Sequence, residues 1–305
     1  MRAMPSRVRY ERLATERVNP RSRHLDRLPP RAIATLMNRE DRRAVAAVGR
    51  VAPAIAAAVE RIVTALSRGG RLFFVGAGTS GRLGVLEAAE CPPTFGTPRS
   101  LVQAIMAGGR SSVFRSREGA EDDARAARRA VRARVRRGDV VVGVSASGVT
   151  PFVRAALTTA AARGAATILV ACNATRTHGR ALLVAPAPGP EVLAGSTRLK
   201  AGTATKLVLN TLTTASMTRL GKVYGNRMVD LQPRSAKLRA RAERLVAEIA
   251  AVPPARARRL LREARGSVRV AIVMARRTLP ADAAARALRA AGGSLRSVLE
   301  RPSAR

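Results

Sequence analysis

Carboxylates are scarce in this 305-residue chain, 20 against 56 lysines and arginines, so those that fall near glycine-rich turns are informative. Gly76-Ala77-Gly78-Thr79-Ser80-Gly81-Arg82 follows a short β-rich run and opens a helical pattern. Glycines let the backbone turn tightly. Successive amides, the Thr79 and Ser80 hydroxyls and the helix dipole then form a cradle for an anion. The segment lacks the lysine ending of a P-loop and the ribose-binding acid of a dinucleotide fingerprint. A glycine-rich turn without a ligand is the plain alternative. Ser145-Ala146-Ser147-Gly148-Val149-Thr150 repeats the arrangement just before Pro151. Two such loops, each at the carboxyl end of an expected parallel strand, favour a phosphorylated small molecule. Gly78, Thr79, Ser80, Ser147, Gly148 and Thr150 are the expected contacts.

Acids lie close to these loops. Glu87 and Glu90 follow the first, and Glu90 abuts Cys91-Pro92-Pro93, where the prolines are expected to end a helix. Glu118, Glu121, Asp122 and Asp123 open the helix expected after the second strand. A solvated acidic first turn, favoured by the helix dipole, would account for them equally. Two carboxylates facing one sugar would supply an acid and a base if burial or neighbours raise one pKa. A third loop, 189–200 (GPEVLAGSTRLK), holds Glu191, Ser196, Arg198 and Lys200, of which Glu191, Ser196 and Lys200 are expected to touch substrate. Lysines occur only at 200, 206, 222 and 237, so Lys200 points to a site wanting a compact ammonium rather than a planar fork.

The elements that must position these groups alternate along the chain. Strand patterns fall at 71–75, 101–106, 139–144, 167–172 and 181–185, and helical ones at about 80–89, 112–137, 151–163 and 198–221. This is a doubly wound α/β pattern, a three-layer parallel-sheet fold that binds ligands at the carboxyl ends of its strands. Residues 1–40 read as an Arg-rich extended arm with room for one short helix, 41–233 as the catalytic domain with a helical pattern over 42–67 broken only at Pro53, and 234–305 as a small helical domain. Two cysteines and two histidines exclude a disulfide framework and make a metal site implausible. Cys91 and Cys172 read as small hydrophobes, His24 lies in the arm and His178 on a loop. The first residues lack an apolar signal core, and no apolar run reaches the ~18 residues of a membrane span. The expectation is a cytoplasmic globular protein.

The net charge of +36 proposes nucleic acid, an acidic partner or a phosphorylated substrate. Seven arginines between 125 and 137 are spaced to coat one helix, as a solvated face. No zinc finger or aromatic RNA-binding motif accompanies them, so a nucleic-acid partner is disfavoured. Near-exclusion of lysine beside abundant Ala and Gly fits a bias toward GC-rich codons.

With these motifs in hand, the chain closely resembles the N-acetylmuramic acid 6-phosphate etherases of the sugar isomerase (SIS) superfamily. The matching segments are 13–20 (LATERVNP), 76–84 (GAGTSGRLG), 90–96 (ECPPTFG), 105–109 (IMAGG), 118–122 (EGAED), 139–143 (DVVVG), 189–204 (GPEVLAGSTRLKAGTA) and 221–230 (GKVYGNRMVD). The likeness runs in order from about residue 10 to 300. It implies a homodimeric, cofactor-independent lyase of cell-wall recycling that cleaves the C3 D-lactyl ether of its substrate. Ring opening, loss of the C2 proton, expulsion of lactate and addition of water at C3 form the implied route. By motif match Glu90 would protonate lactate and then activate water, Glu121 would take the C2 proton, and Thr79, Ser80, Ser147 and Thr150 would hold the phosphate. Val149 and Ser145 stand where the family usually has Arg and Ala; Glu87 replaces a common Asp and Thr205 a common Gln. Other readings on the same scaffold are a sugar-phosphate isomerase and a non-enzymatic phosphosugar sensor related to glucokinase regulatory proteins.

Overall fold

The computed structural model describes residues 11, 13–173, 179–231, 233 and 235–300; His178 lies outside them. The chain divides into two compact units, Met1–Ala88 with Ser100–Thr213, and Ala89–Arg99 with Thr214–Arg305. The first unit is built on β1 (Leu72–Gly76), β2 (Val102–Met106), β3 (Val140–Val144), β4 (Ala166–Val170) and β5 (Leu182–Val184). All pair in parallel in the order β2-β1-β3-β4-β5. Parallel neighbours require crossovers, and covered sheets need apolar residues on both faces, which is why β3 (VVVGV) is buried at every position.

On one face Phe73, Val75, Val141 and Leu169 pack with Val131 of α4 (Ala124–Arg134) and with Phe152, Val153 and Leu157 of α5 (Pro151–Ala162). A Cβ on Gly143 would stand 2.7 Å from Val153 Cγ1, so this glycine lets α5 lie close to the sheet. Phe74 points to the other face, where Gly84 of α3 (Gly78–Phe95) rests on it with no room for a Cβ. The result is the expected three-layer α/β/α arrangement. At the amino ends of the strands Asp139, wholly buried, accepts from Arg71 N, Nε and Nη2 (2.9, 3.2 and 2.7 Å) and ties β1 to β3.

Local expectations differ from the structure at four places. The helical stretch expected over 42–67 is two helices that part next to Pro53, and the first reaches back into the arm: α1 (Pro30–Arg50) and α2 (Ala52–Ser67). Pro30 sits at N1, where its missing N–H costs nothing. The stretch 112–137 is not one helix; short 3-10 turns (Arg110–Val113, Ala120–Asp122) precede α4, which starts where Asp123 Oδ1 accepts from Ala126 N at 2.8 Å. The arginines there do not coat one helix. Arg134 donates to Ala104 O and Gln103 Oε1, and Arg136 lies beyond α4 beside Asp139. Finally, Pro92 and Pro93 do not end α3. The helix continues to Phe95, and the cost falls on the Ala88 and Ala89 carbonyls, which lose their i+4 donors.

In the second unit, α7 (Ala236–Ala250), α8 (Pro254–Glu263), α9 (Val268–Arg277), α10 (Ala281–Ala290) and α11 (Leu295–Glu300) enclose a core that includes Val246, Leu260, Ile272, Leu288 and Leu295. A hairpin of β6 (Val223–Tyr224) and β7 (Arg227–Met228) precedes them; two-residue strands are too short to leave a periodic signal. Asp230 pairs with Lys222 (2.8 Å) and Arg269 (2.7 Å).

Candidate functional site

The order of the sheet reverses between β1 and β3, and such a switch point opens a crevice at the carboxyl ends of the two strands. The first two loops leave from those strands. At the first, Gly76 and Gly81 pack so closely that a Cβ on either would come within 2.7 Å of the other's backbone. Gly78, with φ +53, starts α3 at once, bringing Thr79 and Ser80 into its first turn. First-turn amides have no intrahelical acceptor, so they face outward with the positive end of the dipole.

At the second loop, Ser145 organises the others. Its buried hydroxyl lies 2.8 Å from Thr150 Oγ1 and 3.3 Å from Ser147 Oγ, and accepts from Gly148 N at 3.0 Å. Gly148 has φ +76, and Ser147 Oγ accepts from Val149 N at 3.2 Å. Thr150 is the N-cap of α5 but makes no cap hydrogen bond. A threonine there ordinarily satisfies its own helix; this one turns to Ser145 and gives that helix no side-chain cap.

The third loop behaves differently. It leads into α6 (Lys200–Arg219), whose first amides are closed by Glu191: Oε2 accepts from Lys200 N and Oε1 from Ala201 N, both at 2.9 Å. Glu191 is fully buried, and burial pushes its carboxyl above the ordinary range against those two amides. Lys200, 1% exposed, pairs with Glu40 of α1 at 2.5 Å. Burial also acts to raise Glu40, but the hydrogen bonds from Lys200 and Asn19 and the charges of Lys200 and Arg43 outweigh it and hold the carboxyl low. Both Glu191 and Lys200 were expected to touch substrate; each has its partners inside the protein. Ser196 sits half-buried in the turn, its N–H donating to Leu193 O at 2.9 Å.

The arm is part of this edge. Thr15, wholly buried, accepts from Asn173 Nδ2 (3.2 Å) and, through its carbonyl, from Gly195 N (3.1 Å); Asn173 Nδ2 also reaches Ala146 O at 2.9 Å. Asn19 Nδ2 donates to Glu40 Oε2 (2.8 Å) and Pro190 O (3.3 Å). Sequence reading missed Thr15, Asn19, Glu40 and Asn173, although 13–20 stood out as a motif. On α3 and α6, Glu87 is buried, ion-paired with Lys206 and accepting from Thr213 Oγ1 at 2.7 Å. Cys172 is fully buried and its thiol is pushed up to about 12, chiefly by burial, which bars it as a nucleophile.

Glu121 and Glu90 contrast with these acids. Glu121 lies exposed in the 120–122 turn, and Glu90 exposed on α3, neither with a protein partner among the described residues. Ala120, beside Glu121, packs on the same core as Ala77 of the first loop. Gly78 is exposed, and Thr79, Ser80, Ser147 and Thr150 are half-buried. Among the described residues no cluster of three or more His, Cys, Asp or Glu could hold a metal ion.

Residues 54–161 match the glucokinase regulatory protein N-terminal SIS domain family. Over nearly the whole chain the sequence is similar to proteins named N-acetylmuramic acid 6-phosphate etherase. That of Geobacillus thermodenitrificans is 50% identical over 95% of this chain and 99% of its own length. Those of Gloeobacter violaceus and Mesorhizobium japonicum are 51% and 48% identical, each over 96% of this chain and 97% and 96% of their own. Among solved structures, a phosphoheptose isomerase from Neisseria gonorrhoeae is 20% identical, with a TM-score of 0.46 over 62% of this chain and 98% of that one.

Proposed function

The chain belongs to the N-acetylmuramic acid 6-phosphate etherases, carbon–oxygen lyases of amino sugar recycling, and we propose that Glu90 and Glu121 are the acid and base of its reaction. The 6-phosphate rests on the amides and hydroxyls of the first two loops, with Thr79, Ser80, Ser147 and Thr150 donating. Ring opening exposes the C1 aldehyde, which acidifies the C2 proton. Glu121 takes that proton, and the electron pair forms the C2–C3 double bond as the C3–O bond breaks. Glu90 protonates the departing D-lactate. It then takes a proton from water, which adds at C3, while Glu121 returns its proton to C2. The product is N-acetylglucosamine 6-phosphate.

The observation that carries this reading is the contrast among acids. Glu87, Glu191 and Asp139 are buried and bound to protein groups, while Glu90 and Glu121 are exposed and unpaired among the described residues. The reading includes a homodimer, checked by light scattering, and a cytoplasmic location. In its support, no helix among the described residues is long and apolar enough to cross a membrane.

The test is to incubate purified protein with N-acetylmuramic acid 6-phosphate in 18O-water, assaying lactate and sugar together. Elimination and hydration put the label on the sugar C3 oxygen and leave lactate unlabelled. A ketose product would mean an isomerase. Folded protein that binds the phosphosugar without releasing lactate would mean a sensor, the reading that the match over 54–161 favours.

A further inference from the structure

Arg82 lies in the first turns of α3, within the segment that forms the first cradle, yet its guanidinium is engaged elsewhere. Nε donates to Val113 O at 2.8 Å, and Nη2 donates to Ser112 O at 3.0 Å and Ser116 Oγ at 3.2 Å. Two consecutive carbonyls and a hydroxyl are met by one planar edge, a task for a fork rather than a point charge. Ser112, so held, is 3% exposed. It faces Gly108, where a Cβ would lie 2.2 Å from Ser112 Oγ and 3.3 Å from the Cβ of Ala120. Ser112 and Ala120 therefore converge on one glycine α-carbon, and the next residue is Glu121.

We propose that Arg82 is a positioning residue: it couples the helix of the first cradle to the 110–121 loop and so fixes Glu121 for the C2 proton. The proposal rests on the reading of Glu121 as the base. Arg82 touches no reacting atom, so its loss misplaces the base without weakening the phosphate cradle. Proton transfer is sensitive to such displacement, and about 1 Å can cost a hundredfold.

The experiment compares full-length wild type, Arg82→Lys, Arg82→Met and Gly108→Ala with N-acetylmuramic acid 6-phosphate, alongside hydrogen exchange by mass spectrometry. Expected is a kcat lowered about 10–100-fold in both Arg82 variants, with KM changed less than about threefold. Exchange should accelerate in peptides covering 107–123 and stay unchanged in β1 and β3. Gly108→Ala, disturbing the same loop from its other side at φ +77, should give the same signature. Should the Arg82 variants fail to fold, Gly108→Ala alone decides. Full kcat in Arg82→Lys, a rise in KM with kcat intact, or unchanged exchange over 107–123 would overturn the proposal. Glu121→Gln separates the two layers. Full activity there overturns the base assignment itself, whereas an inactive Glu121→Gln beside a normal Arg82→Lys overturns only the role of Arg82.

Discussion

Two helices begin at the carboxyl edge of the same sheet and treat their first amides in opposite ways. At α6, the carboxylate of Glu191 takes the Lys200 and Ala201 amides and is itself sealed from water. At α5, the N-cap Thr150 hydroxyl pairs with that of Ser145 and gives no cap to its own helix. A helix N-terminus attracts an anion in either case. In one the anion is built into the chain; in the other the N-cap side chain supplies no cap. Polar groups at this edge thus divide into those committed to the fold and those that the proposed function gives to a ligand, and burial with partners is the criterion that separates them.

That division is tested hardest by the acids. Glu121→Gln and Glu90→Gln should each lower kcat about 10²–10⁴-fold, the usual worth of a positioned acid or base, with thermal melting unchanged. Lactate release read beside Tm checks both halves; a large fall in Tm would move either acid into the committed class.

Lys200→Met should do the reverse. It leaves buried Glu40 with only the more exposed Arg43 (3.3 Å) and Arg21 (3.9 Å), at a cost of about 3 kcal/mol in urea unfolding, the lower end for a broken buried pair. The protein that remains folded should keep its kcat, and Glu40→Gln in the same chain should recover part of the loss.

Thr150→Ala removes a donor from the open cradle. Phosphosugar affinity should weaken about 10–100-fold, as for one hydrogen bond to a charged group, with little change in Tm. Isothermal titration with N-acetylglucosamine 6-phosphate reads this directly.

The smallest effect is in pH dependence. Glu191 is raised in the folded state, so it holds protons that the unfolded chain releases, and its penalty is relieved as pH falls toward 4.5, the ordinary glutamate value. Glu40 is lowered, so its contribution is present above 4.5 and is lost as pH falls further, through its folded value. Melting curves should therefore show a gain and then a loss on acidification. Glu191→Gln should remove the first and Glu40→Gln the second.

Much of the fold was legible because the sheet is covered on both faces. Runs such as 140–144 are apolar without alternation, and each of the five parallel strands lies within two residues of its expected place. Pro92-Pro93 misled for a local reason: proline penalises a helix interior, but α3 pays with two lost backbone bonds and continues. The region 112–137 misled because exposed arginines carry no periodic signal of burial; only Ala127 and Val131 are buried in α4.

Of the candidate site, residue types and spacing by themselves determined the two glycine-rich turns that lead into α3 and α5, their order along the chain, and the positions of the acids that follow them. A tight glycine turn followed by hydroxyls and a helix is a local structure, and local structure is written locally. Which polar groups the protein consumes was decided only by the tertiary structure. Glu191 and Glu121 look alike in sequence, each an acid in a loop before a helix. One is enclosed by α6 and fully buried, the other left in solvent on a 3-10 turn. Lys200 meets Glu40 across 160 residues of chain, and Thr15 meets Asn173 across 158. Pairings at that separation depend on where the sheet carries each loop, and no short-range pattern encodes them.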